Sequence, residues 1–190
     1  MSSKYKILDP FELNYLTLTT VGWIDIFTRQ AYRDIIIDSL NYCIENKGLS
    51  VHGYVIMPSH LHLILSTQAP YELSDVMRDF KAYTGRTMIK YLQDEKKPER
   101  WRSWLLYLLS YFAFGRKKKQ DYQIWQHDNH PIQLYTDEVI FQKLEYLHLN
   151  PVRAGFVELP SHWLYSSASF YEFGKGPLPV VLLKGKYDDI

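Results

Sequence analysis

The sequence predicts an α+β fold of the ferredoxin-like kind: a split βαβ antiparallel sheet with helices on one face and a helical insertion before its last strand. Three observations predict it. A Thr- and Leu-rich alternating segment is followed by a long helix-periodic one, two apolar strands are joined through Pro58-Ser59, and two further helical stretches precede a short aromatic strand. The 190 residues, 46% hydrophobic and 23% charged, fit one globular domain with a sizeable core. No internal repeat, low-complexity tract or composition boundary divides the chain, so we expect a single domain over 1–190 with its core at about 15–171.

Each element has a local reason. Tyr15 to Val21 alternates with period two and Gly22 closes it, the pattern of a strand. From Arg29 to Lys47 the residues Ile35, Ile36, Leu40, Cys43 and Ile44 recur at helical spacing, and Gly48 supplies a stop. Ser50 to Met57 and His60 to Ser66 read as a hairpin. A second helix starts near Ser74 and Asp75 and runs to about Gln93, with Val76, Phe80, Tyr83, Thr87, Met88 and Tyr91 on its buried side. Its other side carries Arg78, Lys81, Arg86 and Lys90, a row that is either solvated or tracks a phosphate backbone. A third helix, about Glu99 to Phe114, precedes the basic run Arg116-Lys117-Lys118-Lys119 and then a short strand over Tyr122 to Gln126. The next helix opens with Asp137 and Glu138 and is expected to end at Asn150-Pro151, because proline cannot continue it. Beyond Gly155 the chain reads as irregular, with Trp163, Tyr165, Phe170 and Tyr171 packing back on the domain.

Composition narrows the function classes. A formal net charge of +1 gives no global attraction for a polyanion, so such a partner must be held by local clusters: Lys96, Lys97, Arg100 and Arg102, or the run at 116–119. Either cluster can equally be a solvated loop. A single cysteine, Cys43, excludes an internal disulfide framework and a multi-thiolate site. No segment approaches the roughly 20 apolar residues of a membrane span, so we expect a soluble cytoplasmic protein with no membrane contact. The 16 tyrosines and 5 tryptophans serve either an aromatic core or stacking surfaces for unpaired bases.

The chemistry concentrates in two segments. His60-Leu61-His62 puts two imidazoles on one side of a strand, where they are either a metal-ligand pair or polar residues of a half-buried strand; a ligand site needs a third donor. Tyr146 and Asn150 are four apart, hence on one helix face. If that helix packs on the histidine face, the Asn150 amide oxygen can be the third ligand, with Tyr146 one turn away. A phenol of pKa about 10 is a poor nucleophile and needs an electrophile made more reactive, which a divalent cation supplies at a phosphate. Tyr146 as a core aromatic and Asn150-Pro151 as a plain helix end are the competing readings. Tyr83 and Tyr91 lie on the basic helix without a metal-binding partner. His127 and His130 read as turn residues or as accessories to the site, and His52 and His148 as structural.

Three segments together resemble a known family: Tyr54-Val55-Ile56-Met57-Pro58-Ser59-His60-Leu61-His62-Leu63-Ile64; Leu144-Glu145-Tyr146-Leu147-His148-Leu149-Asn150-Pro151-Val152-Arg153-Ala154-Gly155; and Tyr165-Ser166-Ser167-Ala168. The chain resembles the single-tyrosine HUH transposases (histidine, hydrophobic residue, histidine), in particular their REP-associated branch. The resemblance implies an enzyme that cleaves and rejoins single-stranded DNA beside a hairpin. It implies that His60 and His62 bind a divalent metal, with Asn150 at the position of a third ligand. Tyr146 would attack phosphorus to give a 5′-phosphotyrosine and a free 3′-hydroxyl, with no nucleotide cofactor. The family implies magnesium or manganese, whereas imidazoles by themselves favour zinc or a late transition metal. Typical members have asparagine before the first histidine, where this chain has Ser59. We expect Arg78, Lys81, Arg86, Lys117, Lys118 and Arg153 at the DNA. Relatives are often homodimers, and the edge strands of such a sheet offer a route to pairing. A nucleic-acid-binding relative without turnover and a metal-dependent hydrolase using water are the alternatives.

Overall fold

The computed structural model describes residues 7, 9, 11–114 and 121–184. In chain order the elements are β1 (Asn14–Thr19), α1 (Gln30–Asn46), β2 (Leu49–Ile56), β3 (His60–Thr67), α2 (Leu73–Gln93), α3 (Arg102–Ala113), β4 (Ile132–Gln133), α4 (Asp137–Arg153) and α5 (Ala168–Phe173). The sheet has the order β2-β3-β1-β4 with every pair antiparallel, the expected ferredoxin-like arrangement, and α3 is the helical insertion. At the turn between β2 and β3 the Met57 N–H bonds the His60 carbonyl at 2.8 Å, which closes the hairpin through Pro58-Ser59.

Strand alternation sorts the central residues. Leu16, Leu18, Leu61, Leu63 and Leu65 face α1 and α2, where Ile36, Leu40, Met77, Phe80 and Met88 complete a single large apolar core. Tyr15, Val55 and Ile64 face the other way and meet Leu144 and Leu147 of α4. Helices therefore lie on both faces: α1 and α2 on one, as expected, and α4 on the other, because that second face also carries apolar residues that need a cover. Gly53 lets α4 approach, since a Cβ there would come within 2.9 Å of Leu144 Cδ1.

Two local readings change. The strand expected over 122–126 is a single bridge, Thr20 to Trp125, and the paired strand lies further on at Ile132–Gln133. The chain follows β1 throughout, through Val21 N–H to Ile124 O, Gln126 N–H to Thr19 O and Thr17 N–H to Asn129 O. It is interrupted where His130 takes a positive φ of 44° and Pro131 has no N–H to offer. Helix α4 runs through Pro151 to Arg153 instead of stopping at Asn150. The proline removes one N–H and no more, and the last turn is closed by Ala154 N–H to Asn150 O and Phe156 N–H to Pro151 O, both 2.9 Å.

The segment after Gly155 is more ordered than its composition suggests. Ile56 N–H bonds Tyr165 O and Ser167 N–H bonds Tyr54 O, around a bridge from Val55 to Ser166; further along, Val181 N–H bonds Val51 O. This strap covers the outer edge of β2, so the expected route to a dimer through an open edge is not available there. No described helix is long and apolar enough to cross a membrane.

Candidate active site

Strand β3 places His60 and His62 side by side, with ring centroids 4.8 Å apart. His62 is buried, and its Nδ1 lies 2.7 Å from the Tyr15 hydroxyl and 3.0 Å from Thr17 Oγ1, both on the adjacent strand β1. With Nδ1 so engaged, Nε2 is the nitrogen left for a ligand, in the tautomer whose Nδ1–H donates to one of these oxygens. Burial pushes the His62 pKa down to about 3, helped by the neighbouring His60 and Lys143 charges. Burial also lowers His60, against the opposing pull of the Asp25 carboxylate. Both rings are thereby held neutral, the form that coordinates a cation. His60 lies 3.3 Å from Ser59 Oγ through its Nδ1 and meets the Trp23 ring edge-on at 5.4 Å.

Helix α4 delivers the second half of the site. The Thr136 hydroxyl caps it by accepting from Val139 N–H, and Asp137 and Glu138 sit at the positive end of its dipole. Leu144 and Leu147 pack on the sheet, and that registers Tyr146 beside the histidines. Its ring lies 5.6 Å from the His62 ring, edge to face, and is 41% exposed. Two cations flank it: the Arg153 guanidinium 5.4 Å from the ring centroid and the Lys143 ammonium 5.9 Å away. Asn150 donates its amide N–H to the Tyr146 carbonyl at 2.8 Å, one turn back on the same helix. Among the described residues no group of three His, Cys, Asp or Glu side chains is placed to hold a metal.

The structural histidines are anchors, as expected. His148 Nε2 lies 2.7 Å from Ser167 Oγ, and burial pushes its pKa down to about 4. Ser167 Oγ in turn accepts from Tyr54 N–H at 3.0 Å, so one hydroxyl ties α4 to β2. His52 bonds Ser66 Oγ at 2.9 Å and, through Nδ1–H, the Val181 carbonyl at 3.2 Å.

The expected DNA-facing cations divide. Arg153 reaches the site. Arg78 is exposed but held by Asp75 and Asp79, which offset its charge. Lys81 is not on an open face: its Nζ donates to Gln126 O and Asn129 Oδ1 at 2.6 Å and to His127 O at 3.1 Å, and burial brings its pKa down to about 8. The loop over 126–129 folds against α2 and its converging oxygens require a donor there. Arg86 is exposed beside Tyr42 and Tyr83 in a groove between α1 and α2, on the layer opposite the histidines; Tyr83, expected on the buried side, is 55% exposed. Lys117 and Lys118 lie outside the described residues. Sequence reasoning missed Tyr15, Thr17, Trp23, Asp25 and Lys143. The period-two alternation of Tyr15 and Thr17 and the i−3 spacing of Lys143 from Tyr146 were the available signals.

Three comparisons bear on the identity of this arrangement. Residues 20–127, more than half of the chain, match the family model for IS200-like transposases; the stretch contains His60 and His62 and stops short of α4. A Haemophilus influenzae protein provisionally named REP-associated tyrosine transposase is 28% identical over 136 residues, 68% of each chain. A solved REP-associated tyrosine transposase bound to a REP hairpin superposes with a TM-score of 0.61 over 100% of this chain and 95% of that one, at 17% identity, which is a likeness of fold.

Proposed function

Because this chain belongs to the IS200-like transposase family of DNA-processing enzymes, we propose that it cleaves and rejoins single-stranded DNA with Tyr146 as the nucleophile. The observation that carries the reading is the Tyr146 ring set against His62 and flanked by Lys143 and Arg153. The Tyr146 hydroxyl gives up its proton to solvent as its oxygen attacks phosphorus, the bond from phosphorus to the 3′ oxygen breaks, and that oxygen takes up a proton and leaves as a 3′-hydroxyl. The product is a 5′-phosphotyrosine, and attack by a second 3′-hydroxyl reverses the step without a nucleotide cofactor. Lys143 and Arg153 draw the phosphate toward the tyrosine and offset its charge.

His60, His62 and Asn150 are the residues that would hold a divalent cation. Two neutral imidazoles, one oriented through Nδ1 by Tyr15 and Thr17, fit that role. Bound there, magnesium or manganese supplies charge withdrawal from a phosphate oxygen. The hairpin in the solved relative supports recognition of a DNA hairpin beside the cut by this chain as well.

The test is a covalent adduct between the full chain and a labelled single-stranded oligonucleotide carrying a hairpin. The adduct is expected with magnesium or manganese, absent in EDTA, absent for Tyr146→Phe, and mapped to the peptide containing Tyr146. Cleavage without an adduct would instead identify a hydrolase using water, and salt-sensitive hairpin binding with no cleavage a non-catalytic relative.

A further inference from the structure

Three of the five tryptophans, Trp23, Trp101 and Trp104, are each more than half exposed, which is costly for the largest apolar side chain and calls for a partner. All three line one cleft of about 590 Å³, together with Arg29, Tyr32, Glu99 and Leu105. Trp23 links the cleft to the candidate active site, because its ring also meets His60 edge-on at 5.4 Å. Also on the cleft, Trp101 and Trp104 meet with ring centroids 6.5 Å apart, and the Arg100 guanidinium lies 5.7 Å from the Trp101 ring.

The walls are held in place by features that packing alone does not require. Trp23 has a positive φ of 56°, a strained conformation for a bulky residue, directly after Gly22 at 59°. A Cβ at Gly22 would fall 2.3 Å from the Phe112 ring, so glycine is what lets α3 press against the turn that presents Trp23. Glu99, with a side chain only 1% exposed, accepts from Trp101 N–H and the Tyr32 hydroxyl and pairs with Arg29 at 3.3 Å, which fixes the start of the α3 segment to α1. A strained, exposed tryptophan and two more on a pinned insertion form a preorganised aromatic surface that opens beside a histidine of the site.

We propose that this cleft is a stacking subsite for the unpaired bases next to the scissile phosphate, with Trp23 holding the nearest base and Trp101 and Trp104 those further along. It rests on the single-stranded DNA reading above and adds to it which part of the strand is held, and where. Aromatic faces accept any base, so the subsite contributes affinity and strand path more than sequence choice. The insertion α3 thus extends the catalytic face with a track for the flexible arm of the substrate.

The experiment compares the full chain with Trp23→Leu, Trp101→Leu and Trp104→Leu in EDTA, using two probes: a labelled DNA hairpin with a single-stranded oligothymidine arm, and the same hairpin without the arm. Each substitution is expected to weaken binding of the armed probe about five- to a hundredfold, to leave the blunt probe unchanged, and to be rescued by phenylalanine at the same position. Thermal melting verifies the fold of each variant. Wild-type binding of the armed probe by all three leucine variants, or equal losses on both probes, overturns the subsite while leaving Tyr146 chemistry intact. Failure of the unsubstituted chain to bind either probe overturns the DNA reading itself, and this proposal with it.

Discussion

The two faces of the sheet are built from the same strands and differ in almost every property. Toward α1 and α2 the central strands present Leu16, Leu18, Leu61, Leu63 and Leu65, all fully buried in a continuous apolar core. Toward α4 the same strands present Tyr15, Thr17, His60, His62 and Ile64, and the apolar cluster there is small. At about 25 cal/mol per Å² of buried apolar surface, the first face supplies most of the folding free energy. The second face can then keep neutral imidazoles, a half-exposed phenol and flanking cations, groups that would be poor material for a core. Period-two alternation makes the division possible, since one strand serves both faces without compromise.

The largest effects should come from substituting neighbours on β3. His62→Ala is expected to lower the rate of adduct formation more than about a hundredfold while the chain stays folded, at about 1–3 kcal/mol for the lost bonds to Tyr15 and Thr17. Leu63→Ala, one residue away on the opposite face, is expected to cost about 2–5 kcal/mol in urea unfolding and to leave the rate per folded molecule intact. If His62→Ala unfolds the protein, or Leu63→Ala silences it while folded, the division of labour fails.

A smaller effect is expected where α4 is tied to β2. Ser167→Ala leaves the buried Tyr54 N–H and the His148 ring without their shared hydroxyl, at about 1–3 kcal/mol. The single-turnover rate should fall as well, because Tyr146 rides on the same helix. Stability loss without a change in rate would show that the strap holds the edge strand but does not position Tyr146.

Two cations sharpen the comparison further. Lys81→Met is expected to cost about 1–3 kcal/mol by stranding the Gln126 and His127 carbonyls, with the salt dependence of DNA binding unchanged. Arg153→Ala should be nearly neutral for stability and reduce the slope of log K against log salt by about one. The reverse pattern would place Lys81 at the phosphate.

The smallest effect is on acid stability. His52 has a folded pKa below the usual 6.5 because burial disfavours its charged form. Its contribution is therefore complete above pH 6.5 and is lost as the pH falls through the lower folded value, since the unfolded chain binds the proton first. His52→Gln should flatten the decline in urea midpoint between pH 7 and pH 5, and an unchanged decline would assign the acid sensitivity to other groups.

Much of this was legible in the sequence wherever periodicity is strict. His60 and His62 alternate with Leu61 and Leu63, which settles their common face, and Leu144 and Leu147 turn Tyr146 toward them. Lys81 was misread because the apolar stripe of α2 was phased on Val76, Phe80, Tyr83 and Thr87. The buried residues Met77, Thr84 and Met88 stand at −4, +3 and +7 from Lys81, which places it on the inner side. Thr84 and a lysine do not register as core positions on a hydropathy pattern. The strap on β2, the bridge at Trp125 and the placing of Trp23 against His60 depend on contacts between distant segments, and no local pattern encodes them. Pro151 reads as a stop because its missing N–H is a local fact, whereas the bonds that close the last turn around it belong to the folded chain.

The strap also has a bearing on the order in which the protein is made. Synthesis proceeds from the N-terminus, so His60, His62, Tyr146 and Asn150 all leave the ribosome before Ser167 and Val181. Until those residues arrive, β2 has an open edge and His148 lacks its anchor. A chain interrupted near Gly155 would hold His60, His62, Tyr146 and Asn150 but not the strap that ties α4 to β2. It would be prone to strand-edge association, so the strap closes off self-pairing of β2 at the same moment as it anchors α4.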